Sequence, residues 1–189
     1  MPPKIYHLHP LVAGHWTNWS RHFARIRALG FDQICCAPLF VPGESGDIFV
    51  TADHERLHSA LGWDGSADDG LNRLADAAGE HGLRLLLDIT LDEVASDAAI
   101  RRRQPDWFSN TFCGGPPDPR RGPLRLGVGY ARFGNIHTAE PLIGWWTDRL
   151  RRLLQAGIGG FRCLEPHRVP SMVWRRIVDS VRTMPGSPE

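Results

Sequence analysis

The sequence predicts an α/β fold of (β/α)-barrel type, with about four βα units on a parallel sheet, which is half of an eight-stranded barrel. Three observations carry that expectation: four short apolar runs, helical periodicities that follow or separate them, and glycines that close three of the four helical stretches. Continuous apolar runs of this length suit strands covered on both faces. Regular alternation of strand and helix suits right-handed βαβ units.

The first run is Ile5-Tyr6-His7-Leu8, and the stripe Trp19, Phe23, Ile26 and Leu29 follows it, stopped by Gly30. The second run is "FDQICCAPLF", from Phe31, and its helix carries Leu71, Leu74, Ala75 and Ala78 before Gly82. The third run, Leu83 to Ile89, precedes a helix with Ile143, Trp146, Leu150 and Leu153 that stops at Gly157. The fourth, Gly160-Phe161-Arg162-Cys163, leads to a last helix from Pro170 with Val173, Ile177 and Val181. Trp145, Trp146 and Trp174 lie on helical patterns and read as packing residues.

Two long loops interrupt the pattern, residues 39–66 and the Gly- and Pro-rich 105–140. Both follow strands and so lie at the strands' C-terminal edge, where barrels and open α/β sheets place their sites. A half barrel has two open strand edges, which imply self-association. The alternatives are a fragment, a chain that pairs with another protein, or an open sheet. The tail "MPGSPE" reads as a frayed end.

A chain of 189 residues suits one domain, 1–189. The net charge of +1 implies no electrostatic pull toward nucleic acid or an anionic membrane. The N-terminus lacks the apolar run of a signal peptide, and no segment reaches the roughly 20 apolar residues of a membrane helix. Cys35, Cys36, Cys113 and Cys163 form no CxxC pair, so buried thiols in a reducing, cytoplasmic setting are expected. Arg101-Arg102-Arg103 reads as a solvated helix end. His7 with His9, and His54 with His58, have spacings seen in metal sites, but no H-E-x-x-H motif supports a metal. No GxGxxG, Walker loop or Gly-x-Ser-x-Gly elbow is present, and no cofactor is expected.

The stretches "HFARIRALGFDQICCAPLF", "GDIFVTADHERLHSALG", "AGEHGLRLLLDITLDEVASD", "QPDWF" and "GGFRCLEPHRVP" stand in the order found in the α-amylase superfamily. The chain resembles that glycoside hydrolase family over nearly its whole length, reaching the first half of the family's catalytic TIM barrel. Pro166-His167 gives it the flavour of the bacterial α-1,4-glucan:maltose-1-phosphate maltosyltransferase group.

The resemblance implies a lineage acting on α-1,4-glucans, and it assigns roles. Asp88 matches the Asp of a D-x-x-x-N-H motif, whose Asn-His is here Asp92-Glu93. As a plain strand-end residue, Asp88 would instead cap the following segment. Arg162 matches the Arg that holds the family's nucleophilic Asp ionised, but Leu164 occupies the nucleophile's position and has no lone pair to attack a sugar carbon. Glu165 either replaces that nucleophile, with Asp88 as its partner carboxylate, or pairs with Arg162 as a counter-ion. Asp53 and His54 align with the family's sugar-binding Asp-Tyr; without a Tyr beside Asp47, Phe49 is left to supply the aromatic platform. His167 is either a sugar- or phosphate-binding residue or simply structural. The family's acid Glu and stabilising Asp would lie beyond residue 189. The chain is therefore expected to be catalytically incompetent alone. The alternative is a non-catalytic module that binds α-glucan or maltooligosaccharide, or regulates a full-length partner.

Overall fold

The computed structural model describes residues 2–112 and 124–182; Cys113 and the tail "MPGSPE" lie outside the described residues. In chain order the elements are β1 (Ile5–Leu8), α1 (Pro10–Ala13), α2 (Trp19–Ala28), β2 (Gln33–Cys36), β3 (Phe40–Pro42), β4 (Thr51–Leu57) and α3 (Ala67–Glu80). They continue with β5 (Arg84–Ile89), β6 (Glu93–Ala95), α4 (Ala99–Arg103), β7 (Phe108–Ser109), β8 (Val128–Ala131), α5 (Ile136–Gln155), β9 (Gly160–Cys163) and α6 (Ser171–Arg182).

The four apolar runs form one parallel sheet in the order β1-β2-β5-β9, as the pattern predicts. Side chains alternate along each strand. Ile34, Cys36, Leu85, Leu87 and Ile89 are all buried on one face. The other face carries His7, Cys35, Leu86, Asp88 and Arg162, brought side by side by the register Asp88↔Arg162 and His7↔Cys35.

The helices bury the expected stripes. Trp19, Phe23 and Ile26 of α2 are buried, while Leu29 is exposed just past the helix end. Burying Trp19 and Phe23 stabilises the fold by about 1.5–3 kcal/mol each. Gly30, Gly82 and Gly157 have φ of 83°, 67° and 90°, the left-handed conformation a helix stop needs. Ser66 Oγ accepts from Asp69 N at 3.1 Å and caps α3; Asn135 caps α5 by accepting from His137 N at 2.9 Å. The last helix starts at Ser171, with Pro170 O accepting from Val173 N and Trp174 N.

The two long connections contain structure of their own. Within 39–66, β3 and β4 pair antiparallel. β6 pairs with β8, which pairs with β7, making a small second sheet beside the strand ends. The cap at Asn135 starts α5 inside the stretch expected to be loop to 140. The polar run Arg101-Arg102-Arg103 ends α4, with Arg101 donating to Ser96 O and Arg103 to Ala99 O. Among the described residues, no helix is long and apolar enough to cross a membrane.

Candidate functional site

Asp88 and Arg162 are partners in register on neighbouring strands, about 5 Å apart in backbone. Arg162 Nε donates to Asp88 Oδ1 and Nη2 to Oδ2, each at 2.6 Å. This is a bidentate, charge-assisted fork. The Asp88 side chain is fully buried while that of Arg162 is 51% exposed, so the guanidinium covers the carboxylate on its solvent side. Hydrogen bonding to Asp88 raises the Arg162 pKa.

Two further strands complete the arrangement. Cys35 Sγ donates to Asp88 Oδ1 at 3.2 Å, and burial, followed by that bond, pushes the thiol up to about 12. His7 Nε2 lies 3.0 Å from Arg162 Nη2 and 3.3 Å from Asp88 Oδ2. A guanidinium has only donors, so Nε2 accepts and the ring proton resides on Nδ1. Asp88 thus caps no following helix: both its oxygens are engaged inside the sheet.

Leu164 sits at the top of β9, its N–H donating to Ile89 O at 2.8 Å and extending the ladder by one residue. Glu165 does not pair with Arg162. It takes the left-handed conformation, φ 46°, and lies 3.6 Å from His167 and 3.7 Å from Arg168. Arg162 had a nearer partner directly across the ladder. His167 is 38% exposed in side chain and pairs with Glu165.

Asp53 and His54 are not brought together. Adjacent on β4, they project to opposite faces. Asp53 accepts from Glu55 N at 2.8 Å and Arg56 Nε at 3.0 Å. His54 is a core residue: its ring lies 5.3–5.4 Å from those of Phe40, Trp145 and Trp146. Burial and then Arg149 lower its pKa to about 3, so the ring is neutral. The space between β4 and Asp88 is a cavity of about 10 Å³, room for roughly one water. Phe49 packs under the Arg125 guanidinium, 5.6 Å from ring centroid, and Asp47 pairs with the same Arg at 3.4 Å.

A second polar cluster was not assigned a role from the sequence. Asp92 and Glu93, which stand in the motif's Asn-His positions, are 4% and 1% exposed. Glu93 is held by Arg125 and by Arg168 Nη1 at 3.4 Å. Asp92 lies 3.5 Å from the same Nη1, without a hydrogen-bond partner on either oxygen. Burial, and then the Glu93 charge, raise its pKa to about 7. The signal available was two adjacent carboxylates in the otherwise apolar "TLDEVA", which need a cation nearby. Among the described residues, no group of three or more His, Cys, Asp or Glu is arranged to hold a metal.

No family model matches the chain. The chain is 28% identical over 181 residues to an α-1,4-glucan:maltose-1-phosphate maltosyltransferase of Burkholderia pseudomallei, spanning 95% of this chain and 16% of that protein. It is 22% identical to enzymes of the same name from Cereibacter sphaeroides and Pseudomonas aeruginosa, covering 97% and 92% of this chain, and 30% and 28% of those proteins. The chain therefore spans less than a third of the length of these relatives. Among solved structures, it superposes on a maltogenic α-amylase from Thermotoga neapolitana with a TM-score of 0.74, at 17% identity over 95% of this chain and 43% of that one. An α-amylase from Lactobacillus plantarum gives 0.76, at 21% identity over 95% and 42%. These likenesses establish an α-amylase-type partial barrel and bear out the resemblance read in the motifs.

Proposed function

We propose, from the premise that this chain has the α-amylase fold and is similar over nearly all its length to α-glucan maltosyltransferases, that it is a glucan-related domain that does not itself transfer glycosyl groups. The observation that carries this reading is the closed Asp88–Arg162 pair beside Leu164. Retaining glycosyl transfer needs one free carboxylate and one protonated acid about 5 Å apart. Leu164 offers no carboxylate. Asp88 has both oxygens held by Arg162, and Glu165 faces His167 and Arg168. Asp88 and Glu165 therefore do not form a substitute catalytic pair.

The test is an assay of the purified 189-residue chain for maltose-1-phosphate transfer and maltooligosaccharide hydrolysis. No turnover is expected above a blank, and none is gained by Leu164→Asp alone. Robust turnover by the unaltered chain overturns the proposal.

A role in binding α-glucan, or in regulating a full-length partner, is the function consistent with this chemistry. Asp53 and His167 keep solvent-facing positions and remain candidate glucan contacts; His54 does not. Calorimetric titration with maltooligosaccharides checks this, with binding expected to weaken in Asp53→Ala. The strands β1 and β9 are the two edges of the parallel sheet, which supports self-association through edge pairing. A strictly monomeric species in solution overturns that part. The free thiols Cys35, Cys36 and Cys163 support a reducing, cytoplasmic setting.

A further inference from the structure

The parallel sheet ends in β1 on one side and in β9 on the other. In a parallel strand the N–H and C=O of one residue point to the same side, and successive residues alternate. Lys4 O accepts from Gln33 N and Leu8 O from Ala37 N, so the backbone groups of Ile5 and His7 face away from β2. Gly159 N donates to Leu85 O, so those of Gly160 and Arg162 face away from β5. Each edge is a four-residue strand with backbone donors and acceptors left for a further parallel strand.

The side chains at the two edges complement each other. A groove of about 250 Å³ adjoins β9, lined by Phe161 and Cys163 of the strand, Leu154 of α5, and Trp174, Val178 and Val181 of α6. Val178 is exposed at its rim. The register Tyr6↔Ile34, Ile34↔Leu85 and Leu87↔Phe161 puts Tyr6 on the same face of the sheet as this groove. Tyr6 is half-buried, with its ring 5.2 Å from that of Phe31, and Ile5 beside it is 49% exposed. Extending the self-association reading above, on which this inference rests, we propose that two copies of the chain close head to tail about a two-fold axis. β1 of each copy pairs in parallel with β9 of the other, and Tyr6 enters the other copy's groove.

A second copy is the occupant because one chain carries both halves of the match. The sheet has the curvature of the α-amylase barrels it superposes on, so two four-stranded halves close at the eight strands of a barrel and leave no edge. The charges say what drives the contact. α2 carries Arg21, Arg25 and Arg27 and no acid, and α6 carries Arg175, Arg176 and Arg182 against the single acid Asp179. Closure brings α6 beside α2 of the other copy, so like charges approach and apolar burial must supply the attraction. Added salt therefore strengthens this dimer, whereas it weakens a contact held by opposite charges.

The test is sedimentation velocity on the 189-residue chain and on two edge variants, alone and mixed. Ile5→Pro removes an outward N–H of β1 without touching the ladder to β2, and Val178→Asp puts a charge at the rim of the groove. Each variant alone should raise the dimer dissociation constant about a hundredfold, since both contacts of a two-fold dimer then carry the change. Mixing them leaves one intact β1–β9 contact, so association should return, at higher concentration than in the parent. Ile5→Lys blocks the same edge and keeps the test readable if the proline variant fails to fold. Raising salt from about 0.05 to about 0.5 M should tighten the parent dimer. Val178→Asp that still dimerises means β1 pairs with β1, and Ile5→Pro that still dimerises means β9 pairs with β9. Either result overturns the head-to-tail closure and leaves self-association standing, as does a mixture no more associated than its components. A parent chain that stays monomeric up to about 0.1 mM overturns both.

Discussion

Arg162 holds both oxygens of Asp88, at 2.6 Å each, and stands between that carboxylate and water. In the family pattern that the sequence resembles, this arginine serves a nucleophile two residues further on. Leucine stands there, and the guanidinium pairs across the ladder with the acid it faces in register. Position 164 carries no carboxylate, and both oxygens of the one at position 88 are engaged by Arg162.

The pair should be coupled in stability. Arg162→Met leaves a buried carboxylate without its cation, and the expected loss is about 2–3 kcal/mol. That is the low end for breaking a buried pair, since half of the arginine is already in water. Asp88→Asn should cost less, and the double variant should recover about 1–2 kcal/mol relative to the sum. Urea denaturation of the four species measures this; an additive cycle would show that the fork contributes nothing.

The tautomer of His7 follows from the same geometry. Because Nε2 accepts from Arg162 Nη2, the ring proton is expected on Nδ1. Nitrogen shifts of the imidazole distinguish the two tautomers directly. In Arg162→Met the acceptor role disappears, and Nε2 becomes free to donate to Asp88 Oδ2, 3.3 Å away. The Nδ1–H tautomer should then lose its dominance. A ring already protonated on Nε2 in the unaltered chain overturns the assignment.

Strands and helices were legible because their patterns are dictated by burial on a repeating geometry. The run Gly160–Cys163 and the stops at Gly30, Gly82 and Gly157 appear where the sequence places them. The hairpin β3–β4 and the sheet β6-β8-β7 were not legible. Their strands are two to seven residues long, and their partners are set by tertiary contacts. Site chemistry split the same way. Asp88 and Arg162 stand out because strand ends order them; Asp53 and His54 read as a pair in sequence, but alternation on β4 sends Asp53 outward and His54 into the core. The sequence offers Glu165 as one possible counter-ion of Arg162, since sequence distance hides a cross-strand partner 74 residues away.

Arg168 should matter more than Arg162. Its side chain is 8% exposed and lies 3.4–3.7 Å from Asp92, Glu93 and Glu165, tying the turn after β9 to β6. Arg168→Met strands buried carboxylates, and a loss of about 3–5 kcal/mol is expected. Glu93 keeps Arg125, so Asp92 is the group most exposed to the change. Adding Asp92→Asn to Arg168→Met should restore part of the loss. Thermal or urea unfolding ranks the variants, and an Arg168→Met protein as stable as the parent sinks this account.

Asp92 and His54 predict opposite pH dependences. Asp92 has a folded pKa of about 7, above its unfolded value of about 3.8, so its contribution is full below pH 4 and is lost as pH rises through 7. Three units correspond to a swing of the order of 4 kcal/mol. The charges facing it are Glu93 on β6 and Arg168 from the turn after β9, with Arg125 and Tyr130 beyond Glu93. Asp92→Asn should flatten stability between pH 5 and 8, since an amide has no proton to lose.

His54 runs the other way. Its folded pKa, about 3, lies below the unfolded value of about 6.5, so the folded state binds fewer protons. Its contribution is full above pH 6.5 and is lost as pH falls toward 3. Between pH 4 and 7 the two groups therefore offset each other, and the unaltered chain should show a shallow profile there. Removing one exposes the other. In Asp92→Asn, stability should fall on acidification below pH 6.5, with His54 still neutral by the position of its ring-proton resonance at pH 4.5. In His54→Gln, stability should instead rise on acidification from pH 8 to 5. Equal profiles for the two variants would exclude opposing titrations at these sites, because their slopes can agree only if neither pKa is displaced by its surroundings.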